Sequence, residues 1–190
     1  MINKTIGFAI CGSFCTFKIV LPQMRSLAEK GYDIIPILSY TAYNTDTRFF
    51  KAAEFRKEIE DICRREIIHT IFDAEPIGPK KLLDALIIAP CTGNTIAKLA
   101  NGITDTPVTM AAKAHLRNQR PLIIAPSTND ALCINAKNIG LLHAIKDIYF
   151  VPYRQDDPSE KSTSMVADMN KIEETLISSL NNKQIQPVIL

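Results

Sequence analysis

The chain has 190 residues, of which 46% are hydrophobic and 22% are charged, and its formal net charge is +2. This content can fill one globular core, so a single domain spanning residues 1–190 is predicted. The near balance of 22 basic and 20 acidic residues argues against the strongly basic surface of a nucleic-acid-binding or membrane-binding protein.

The apolar runs, cysteines and histidines narrow the class further. No apolar run approaches the ~20 residues that a membrane-spanning helix needs, and residues 1–4 lack the pattern of a signal peptide. The five cysteines form no CxxC pair, which favours a reducing cytoplasm over a disulfide framework. The three histidines are scattered without metal-ligand spacing, so no metal site is predicted.

The amino-terminal segment predicts a strand–helix–strand unit. Thr5–Ile10 is a continuous apolar run, which is typical of a strand buried on both faces. Apolar residues then recur at helical spacing from Val20 to Ala28, and Asp33–Leu38 is a second predicted strand. Ser39–Asp46 is predicted to be a polar loop.

The middle of the chain continues the alternation of strands and helices. A charged helix carries Phe55, Ile59 and Ile62 on one face, and a short strand is predicted at residues 67–71. Ala85–Ala89 gives the clearest strand. Residues 92–116 are predicted to be helical, with breaks near Gly102 and at Thr106-Pro107.

The last part of the chain predicts two more strands and a closing helix. Leu122–Ala125 and Ile148–Val151 are the strands, and the polar Gln155–Ser164 segment is predicted to be a surface loop. A closing helix is expected at about 165–180, before an apolar tail at 181–190 that docks on a neighbour or frays. The β-α-β-α alternation predicts a doubly wound, mostly parallel α/β sheet with helices on both faces.

Three of the predicted strands are each followed by a small polar cluster. The clusters are Cys11-Gly12-Ser13, Pro90–Thr95 and Pro126–Asp130. In an open α/β sheet, ligands bind in the crevice beyond the carboxyl ends of the strands. Hydroxyls, amides and glycines brought together there would form one wall suited to a phosphate-bearing cofactor.

Each cluster also has a purely structural interpretation. Gly12-Ser13 alone is an ordinary strand-to-helix turn with a serine cap, because neither GxGxxG nor GxxxxGK[ST] is present. Thr92 or Asn94 could cap the following helix, and Asp130 could cap the next one. Capping and ligand contact are compatible, so the three clusters together favour a binding site.

The remaining candidates give no catalytic residue. His69, His115 and His143 lie in apolar or helical contexts and are interpreted as structural. The cysteines are interpreted as mostly buried and inert, Cys63 and Cys133 among them, while Cys11 and Cys91 flank the predicted crevice. Phe14 and Tyr40 could stack on a flat ring or simply pack.

The same segments resemble those of a known family. Gly12–Lys18 (GSFCTFK) and above all Ala85–Asp105 (ALIIAPCTGNTIAKLANGITD) are similar to the flavoprotein fold of the flavin-containing cysteine decarboxylases, over a stretch from Thr5 to about Asn129. The resemblance implies a Rossmann-like fold. It also implies FMN bound between the subunits of a homo-oligomer, a trimer or a multiple of one.

A narrower group within the family resembles almost the whole chain. The segments that carry this resemblance are Ala74–Thr95, Lys98–Pro121, Ser127–Leu132 and Val151–Val166, the last outside the general family pattern. It implies one subunit of a cytoplasmic oxidoreductase that acts with an NAD(P)-binding partner subunit. Together they would oxidise a dihydrodipicolinate-level compound to pyridine-2,6-dicarboxylate in the mother cell of a sporulating bacterium.

The resemblance also implies a set of site residues. The flavin-site candidates are Gly12, Ser13, Phe14, Ser39, Thr92, Gly93, Asn94, Thr95, Ser127 and Thr128. Asn129 is a candidate for contact with the substrate. A positive charge could come from Arg117, Arg120 or Arg154 of a neighbouring subunit.

Two departures separate the chain from the decarboxylases. Their catalytic histidine precedes the strand that leads into the asparagine-containing motif, and the matching position here is Pro76. The methionine and tryptophan of their substrate clamp are missing from Pro126–Leu132. Two alternatives stay open: an FMN-dependent decarboxylase of a cysteinyl compound, and a non-catalytic flavin-binding or scaffolding subunit.

Overall fold

The computed structural model describes residues 4–190. Residues 1–3 therefore lie outside the described residues; they belong to the predicted domain and to the segment 1–4 that lacks a signal-peptide pattern. The strands are β1 (Thr5–Ile10), β2 (Asp33–Leu38), β3 (Ala85–Cys91), β4 (Leu122–Thr128), β5 (Ile148–Phe150), β6 (Tyr153–Asp157) and β7 (Lys161–Ala167). The α-helices are α1 (Phe17–Glu29), α2 (Tyr40–Asn44), α3 (Ala52–Cys63), α4 (Ile71–Ala74), α5 (Gly93–Ala100), α6 (Pro107–Leu116), α7 (Ala136–His143) and α8 (Ile172–Leu180). Short 3₁₀ turns lie at Phe14–Thr16, Glu75–Ile77 and Met169–Lys171.

The strands form one sheet in the order β2-β1-β3-β4-β7-β6, with β5 pairing the first half of β4. The pairings among β1, β2, β3, β4 and β5 are parallel, whereas β7 runs antiparallel to both β4 and β6. From β1 the chain first adds β2 on one side, and it then returns to add β3 and β4 on the other side of β1. The topological switch point therefore lies between β1 and β3. Ligands bind at such a point in doubly wound sheets.

Helices cover both faces of the sheet. On one side, α1 contacts α3 and α8, and on the other side α5 contacts α6 and α7; each of these helices also contacts the strands. Every residue of β3 and nearly every residue of β4 is therefore buried, which explains why these strands are continuous apolar runs rather than alternating ones. The predicted fold class is confirmed.

The polar segment after Val151 is a β-hairpin, and the prediction of a surface loop there is wrong. Strands β6 and β7 pair with each other, and the end of β7 continues onto β4 through Ser127↔Val166 and Thr128↔Met165. The closing helix consequently begins at Ile172 rather than near 165, because Met165 belongs to a strand. The polarity of the hairpin arises because only its base packs on the core.

The other differences are local. Residues 40–44 of the predicted polar loop form helix α2, which Ser39 caps through its side chain. Residues 67–71 contribute only an isolated bridge, Ile37↔Ile68, before α4 begins. The helical stretch from Thr92 is interrupted between α5 and α6, as predicted from Gly102 and Pro107.

The carboxyl-terminal tail packs against its own chain. Tyr153 bridges to Ile189 in parallel, and the Leu190 amide donates to the Tyr153 carbonyl at 3.0 Å. Ile185 is buried, although Ile189 and Leu190 keep about half of their surface exposed. Within residues 4–190, every helix is too short or too polar to span a bilayer.

Candidate functional site

The three polar clusters converge on one cavity beyond the carboxyl ends of β1, β3 and β4. The cavity has a volume of about 1100 Å³, which is ample for a mononucleotide-sized ligand. The predicted residues that line it are Gly12, Ser13, Phe14, Thr92, Gly93, Asn94, Ser127, Thr128 and Asn129. The parallel pairing of these strands explains the convergence, since their carboxyl ends meet at one edge.

The first and third clusters touch directly. The hydroxyl oxygens of Ser13 and Ser127 are 2.8 Å apart, a hydrogen-bonding distance across the switch point. Ser127 is still part of β4, because pairing with β7 extends the strand three residues beyond the apolar run. Two hydroxyls in this position can turn together towards an anionic or carbonyl group.

The second cluster opens helix α5 at the floor of the cavity. Asn94 is exposed to the cavity and, within the described part of the chain, makes no side-chain hydrogen bond. The main-chain N–H groups at the start of α5 have no helical acceptors, which favours a negatively charged ligand group there. Asn94 and this helix start therefore offer donors that the fold itself does not use.

A glycine is needed at position 93 because a polar network packs closely against its Cα, and not because a ligand must approach its backbone. A Cβ built at Gly93 would lie 2.5 Å from Asp130 Oδ1, 2.5 Å from Thr128 Oγ1 and 2.7 Å from Asn135 Nδ2. Thr128 Oγ1 donates to Asp130 Oδ1 at 2.5 Å, and Asn135 Nδ2 donates to Asp130 Oδ2 at 2.7 Å. Asp130 is thus the acceptor that fixes the loop after β4, and Asn135 rather than Asp130 precedes helix α7.

Two of the predicted cofactor residues face away from the cavity. Ser39 is buried, and its hydroxyl accepts the Ala42 N–H at 3.2 Å as the cap of α2. Thr95 is turned inward, where its Oγ1 lies 3.3 Å from Cys11 Sγ. Tyr40, predicted as a possible stacking partner, is exposed and lies outside the lining, whereas Phe14 is part of it.

The cysteines divide into three buried and two exposed thiols. Cys11 and Cys91 lie beneath the cavity floor with almost no exposed surface, so neither can contact a ligand directly. Burial raises the pKa of Cys91 well above its ordinary value and that of Cys63 to about 12. Cys133 is exposed, so its interpretation as a buried thiol is wrong, and the exposed Cys15 lines the cavity.

Apart from Asp130 and Arg154, the sequence interpretation missed the charged groups of the cavity. Arg48 and Phe49 reach the cavity from the loop between α2 and α3, and Arg154, Asp156 and Lys161 reach it from the β6–β7 hairpin. Arg48 lies far from the end of any predicted strand, and Asp156 and Lys161 lie in the segment predicted to be a surface loop, so the rule that places sites at strand ends does not find them. Arg117 and Arg120 lie outside the cavity lining. Arg120 donates to the Lys81 and Leu83 carbonyls, just before the amino end of β3.

The histidines of the described chain take structural positions. Burial lowers the pKa of His115 to about 4, and its Nε2 lies 2.9 Å from the Pro121 carbonyl oxygen. His143 stacks on Phe150 and hydrogen-bonds to the Tyr153 hydroxyl, and burial lowers its pKa as well. His69 stacks on Tyr43. None of the three lines the cavity.

Pro76, at the position of the decarboxylases' catalytic histidine, lies in a 3₁₀ turn outside the cavity lining. Among residues 4–190, no three His, Cys, Asp or Glu side chains gather in a way that could hold a metal ion. The cavity offers hydroxyls, side-chain amides, free main-chain donors, two aromatic rings and charged side chains. This donor set fits a planar, phosphorylated cofactor such as FMN.

Comparison with known proteins agrees with this geometry. The Flavoprotein family model matches residues 1–182. The chain is 46% identical over 188 residues to the B subunit of dipicolinate synthase from Bacillus subtilis (strain 168), an alignment that covers 99% of this chain and 94% of that protein.

Solved structures show the same relationship. The crystal structure of the dipicolinate synthase B subunit from Bacillus halodurans C superimposes with a TM-score of 0.91 at 45% identity, covering 98% of this chain and 96% of that one. The FMN-dependent cysteine decarboxylase SpaF shares the fold with a TM-score of 0.65 at 21% identity, over 93% of this chain and 97% of its own. The family expected from Gly12–Lys18 and Ala85–Asp105 is confirmed.

Proposed function

The chain belongs to the Flavoprotein family, and on that premise we propose that it is the B subunit of a dipicolinate synthase. In this role it acts with an NAD(P)-binding A subunit to convert a dihydrodipicolinate-level precursor into pyridine-2,6-dicarboxylate. The observation that carries the proposal is the 46% identity to a protein of that name along 99% of this chain. The match includes the β6–β7 hairpin, which the Flavoprotein family model also covers, so the expectation that this segment lies outside the general family pattern is wrong.

The proposal assigns FMN to the cavity. Ser13, Ser127 and Asn94, with the main-chain donors at the start of α5, would hold the cofactor against the edge of the sheet. Phe14 would pack on its ring, which aromatic side chains do readily. Support comes from the solved relative SpaF, whose name describes it as FMN-dependent, and from the donor set of the cavity.

The reaction is an aromatisation. The dihydropyridine loses two electrons and one hydrogen as a hydride, together with a proton, and the ring becomes a pyridine. When bound, a flavin or the partner's nicotinamide supplies the hydride acceptor. The contribution of this chain is to orient the substrate, to exclude water and to bind the two carboxylates. Asn129, which lines the cavity and whose carbonyl accepts from Thr163 Oγ1 at 2.6 Å, is the residue that we assign to contact with the substrate.

The proposal extends to organisation and location. We propose a single domain, and its support is that, within residues 4–190, the buried apolar residues from Ile6 to Leu176 belong to one contiguous core. The chain assembles as a homo-oligomer, a trimer or a multiple of one, beside the A subunit. It works in the cytoplasm of the mother cell during sporulation.

Reconstitution of the two subunits tests this function. The A subunit is assayed with and without this chain for formation of pyridine-2,6-dicarboxylate and for reduction of NAD(P). We expect product only, or many times faster, when both subunits are present. Equal rates with the A subunit alone would contradict the assignment.

Two further assays separate the alternatives. Release of carbon dioxide from a cysteinyl peptide would identify a decarboxylase, and we expect none because Pro76 replaces the histidine. A scaffolding subunit would be colourless and would reject added FMN, yet it would restore activity to the A subunit. In that case an Asn94→Ala change would leave the reconstituted activity intact.

A further inference from the structure

Two arginines in the cavity lack an acidic partner. Arg48 and Arg154 are both exposed and both line the cavity. Within the described range 4–190, neither guanidinium forms a salt bridge. Arg48 instead lies over the ring of its neighbour Phe49, 4.8 Å from the ring centre.

The carboxylates of the same cavity are already partnered. Asp156 pairs with Lys161 at 2.7 Å, and Asp130 accepts hydrogen bonds from Thr128 and Asn135. Asp168 accepts from the Asn170 main-chain and side-chain nitrogens at 3.1 and 3.2 Å. The lining thus carries three basic and three acidic side chains. Among them, within the described residues, Arg48 and Arg154 are the charged groups without a salt bridge or a side-chain hydrogen bond, so both guanidinium groups are free to contact anionic groups of a ligand.

The sheet fixes where Arg154 stands. Ser127 of β4 is in register with Val166 of β7, and Val166 is in register with Arg154 of β6. Residues in one row across a sheet project from the same face, so Arg154 shares its face with Ser127. Because Arg154 lies two strands away from Ser127, its backbone is roughly 10 Å from the Ser13–Ser127 contact.

Arg48 reaches the same cavity from the other end of the strand order. It follows α2, which follows the edge strand β2, whereas β6 is the opposite edge of the sheet. A Cβ built at Gly12 would lie 3.0 Å from Thr41 Cγ2, so the start of α2 packs closely against the turn after β1. The two arginines therefore line the same cavity from opposite ends of the strand order.

The hairpin that carries Arg154 is anchored rather than loose at its base. Thr163 Oγ1 donates to the Asn129 carbonyl at 2.6 Å, and Ser164 Oγ donates to the Thr128 carbonyl at 3.3 Å. Tyr153, which precedes Arg154, is buried and hydrogen-bonded to His143. These contacts hold the arginine on a fixed element, as a specificity-determining residue requires.

We propose that Arg48 and Arg154 bind the two carboxylates of the substrate, one guanidinium to each, and so select a dicarboxylate over a monocarboxylate. This inference rests on the proposed function for the identity of the ligand. Arginine suits the task because its planar guanidinium donates two parallel hydrogen bonds to a carboxylate. The cofactor phosphate is assigned to a different place, beyond the carboxyl ends of β1, β3 and β4, where Ser13, Ser127 and the main chain of α5 supply donors.

Calorimetric titration of the chain, with and without added FMN, tests the inference. The probes are pyridine-2,6-dicarboxylate and pyridine-2-carboxylate in metal-free buffer, with Arg48→Gln, Arg154→Gln and the matched control Arg117→Gln, an arginine outside the cavity. We expect the wild type to prefer the dicarboxylate by about tenfold or more, the value of one charge-assisted contact. Each cavity variant should lose that preference, and the control should keep it.

Unchanged dicarboxylate affinity in both cavity variants would overturn the inference. So would a second pattern, in which the variants lose affinity for FMN but not for riboflavin, because the arginines would then bind the cofactor phosphate. The result also separates the two proposals. If the chain binds no FMN yet discriminates the dicarboxylate through these arginines, the flavin assignment fails and the carboxylate site stands.

Discussion

The hydroxyl oxygens of Ser13 and Ser127 lie 2.8 Å apart, although 114 residues separate them in the chain. Ser13 follows β1 and Ser127 is the penultimate residue of β4, so the contact exists only because the parallel sheet brings the carboxyl ends of distant strands together. Both residues line the cavity. Because single residues join distant parts of the chain at this site, we expect single substitutions there to have specific effects.

The first prediction concerns this contact itself. Ser13→Ala or Ser127→Ala alone removes one partner and leaves the other hydroxyl without its hydrogen bond, at a cost of about 1 kcal/mol in the free energy of unfolding. The double variant should cost less than the sum of the two. Urea unfolding of the four proteins measures this coupling. Strict additivity would show that the contact carries no energy.

The second prediction concerns Asn94, whose side chain is free to contact a ligand. Asn94→Ala should weaken the affinity for FMN by about tenfold, the value of one lost hydrogen bond of about 1.4 kcal/mol. The control is Asn101→Ala at the far end of the same helix, where the side chain donates to the Ala97 carbonyl at 2.7 Å. Fluorescence titration with FMN should show the loss in the first variant only.

The third prediction contrasts two glycines. Gly93→Ala would drive a methyl group into the Thr128–Asp130–Asn135 network, so the protein should lose about 1–3 kcal/mol of stability. Gly140, in helix α7, has open space around a built Cβ, and alanine there should stabilise the protein by up to about 1 kcal/mol. Chemical unfolding of both variants checks the opposite signs. Equal effects would mean that the network around Asp130 is not tightly packed.

The fourth prediction is a pH dependence from His115. Burial lowers its pKa to about 4 in the folded protein, against about 6.5 in an unfolded chain. Between these values the unfolded chain binds the extra proton, so stability falls as the pH is lowered from about 6.5 to about 4, by about 3 kcal/mol at most.

His115→Gln provides the comparison for that titration. Glutamine can still donate a hydrogen bond to the Pro121 carbonyl, but it does not titrate. The variant should therefore show a shallower loss of stability across the same pH window. If unfolding measured from pH 7 to pH 4 gives the same slope for both proteins, His115 is not the group responsible.

The fifth prediction uses the cysteines as reporters. In the native protein, iodoacetamide should modify the exposed Cys15 and Cys133, but not the buried Cys11, Cys63 and Cys91. Cys15 lines the cavity and Cys133 does not. Saturating FMN should therefore slow the alkylation of Cys15 alone, as followed by mass spectrometry. Equal protection of Cys133 would place the ligand elsewhere.

The parts of the fold that the sequence predicts are those governed by local apolar pattern. Ala85–Ala89 and Leu122–Ala125 are buried on both faces, so their composition alone indicates parallel strands, and the polar residues after them indicate the site edge. The pattern understates their length, because β3 runs to Cys91 and β4 to Thr128. Those extensions depend on pairing between strands, which a local pattern does not contain.

The hairpin shows the limit more sharply. Tyr153–Ala167 is polar over most of its length, and it becomes β-structure through pairing of β7 with β6 and with the end of β4. Arg48 lies in a loop with no periodic signal at all. Ser39 and Thr95 show the reverse error, since both suit a ligand chemically but are used by α2 and by Cys11.

The visible absorbance spectrum of the chain, purified under native conditions and then titrated with FMN, tests the central claim most directly. We predict bands at about 370 and 450 nm from bound oxidised flavin, or their appearance at one equivalent of added FMN. These bands should be lost in an Asn94→Ala, Ser127→Ala double variant. A colourless wild-type protein that takes up no FMN would contradict the account.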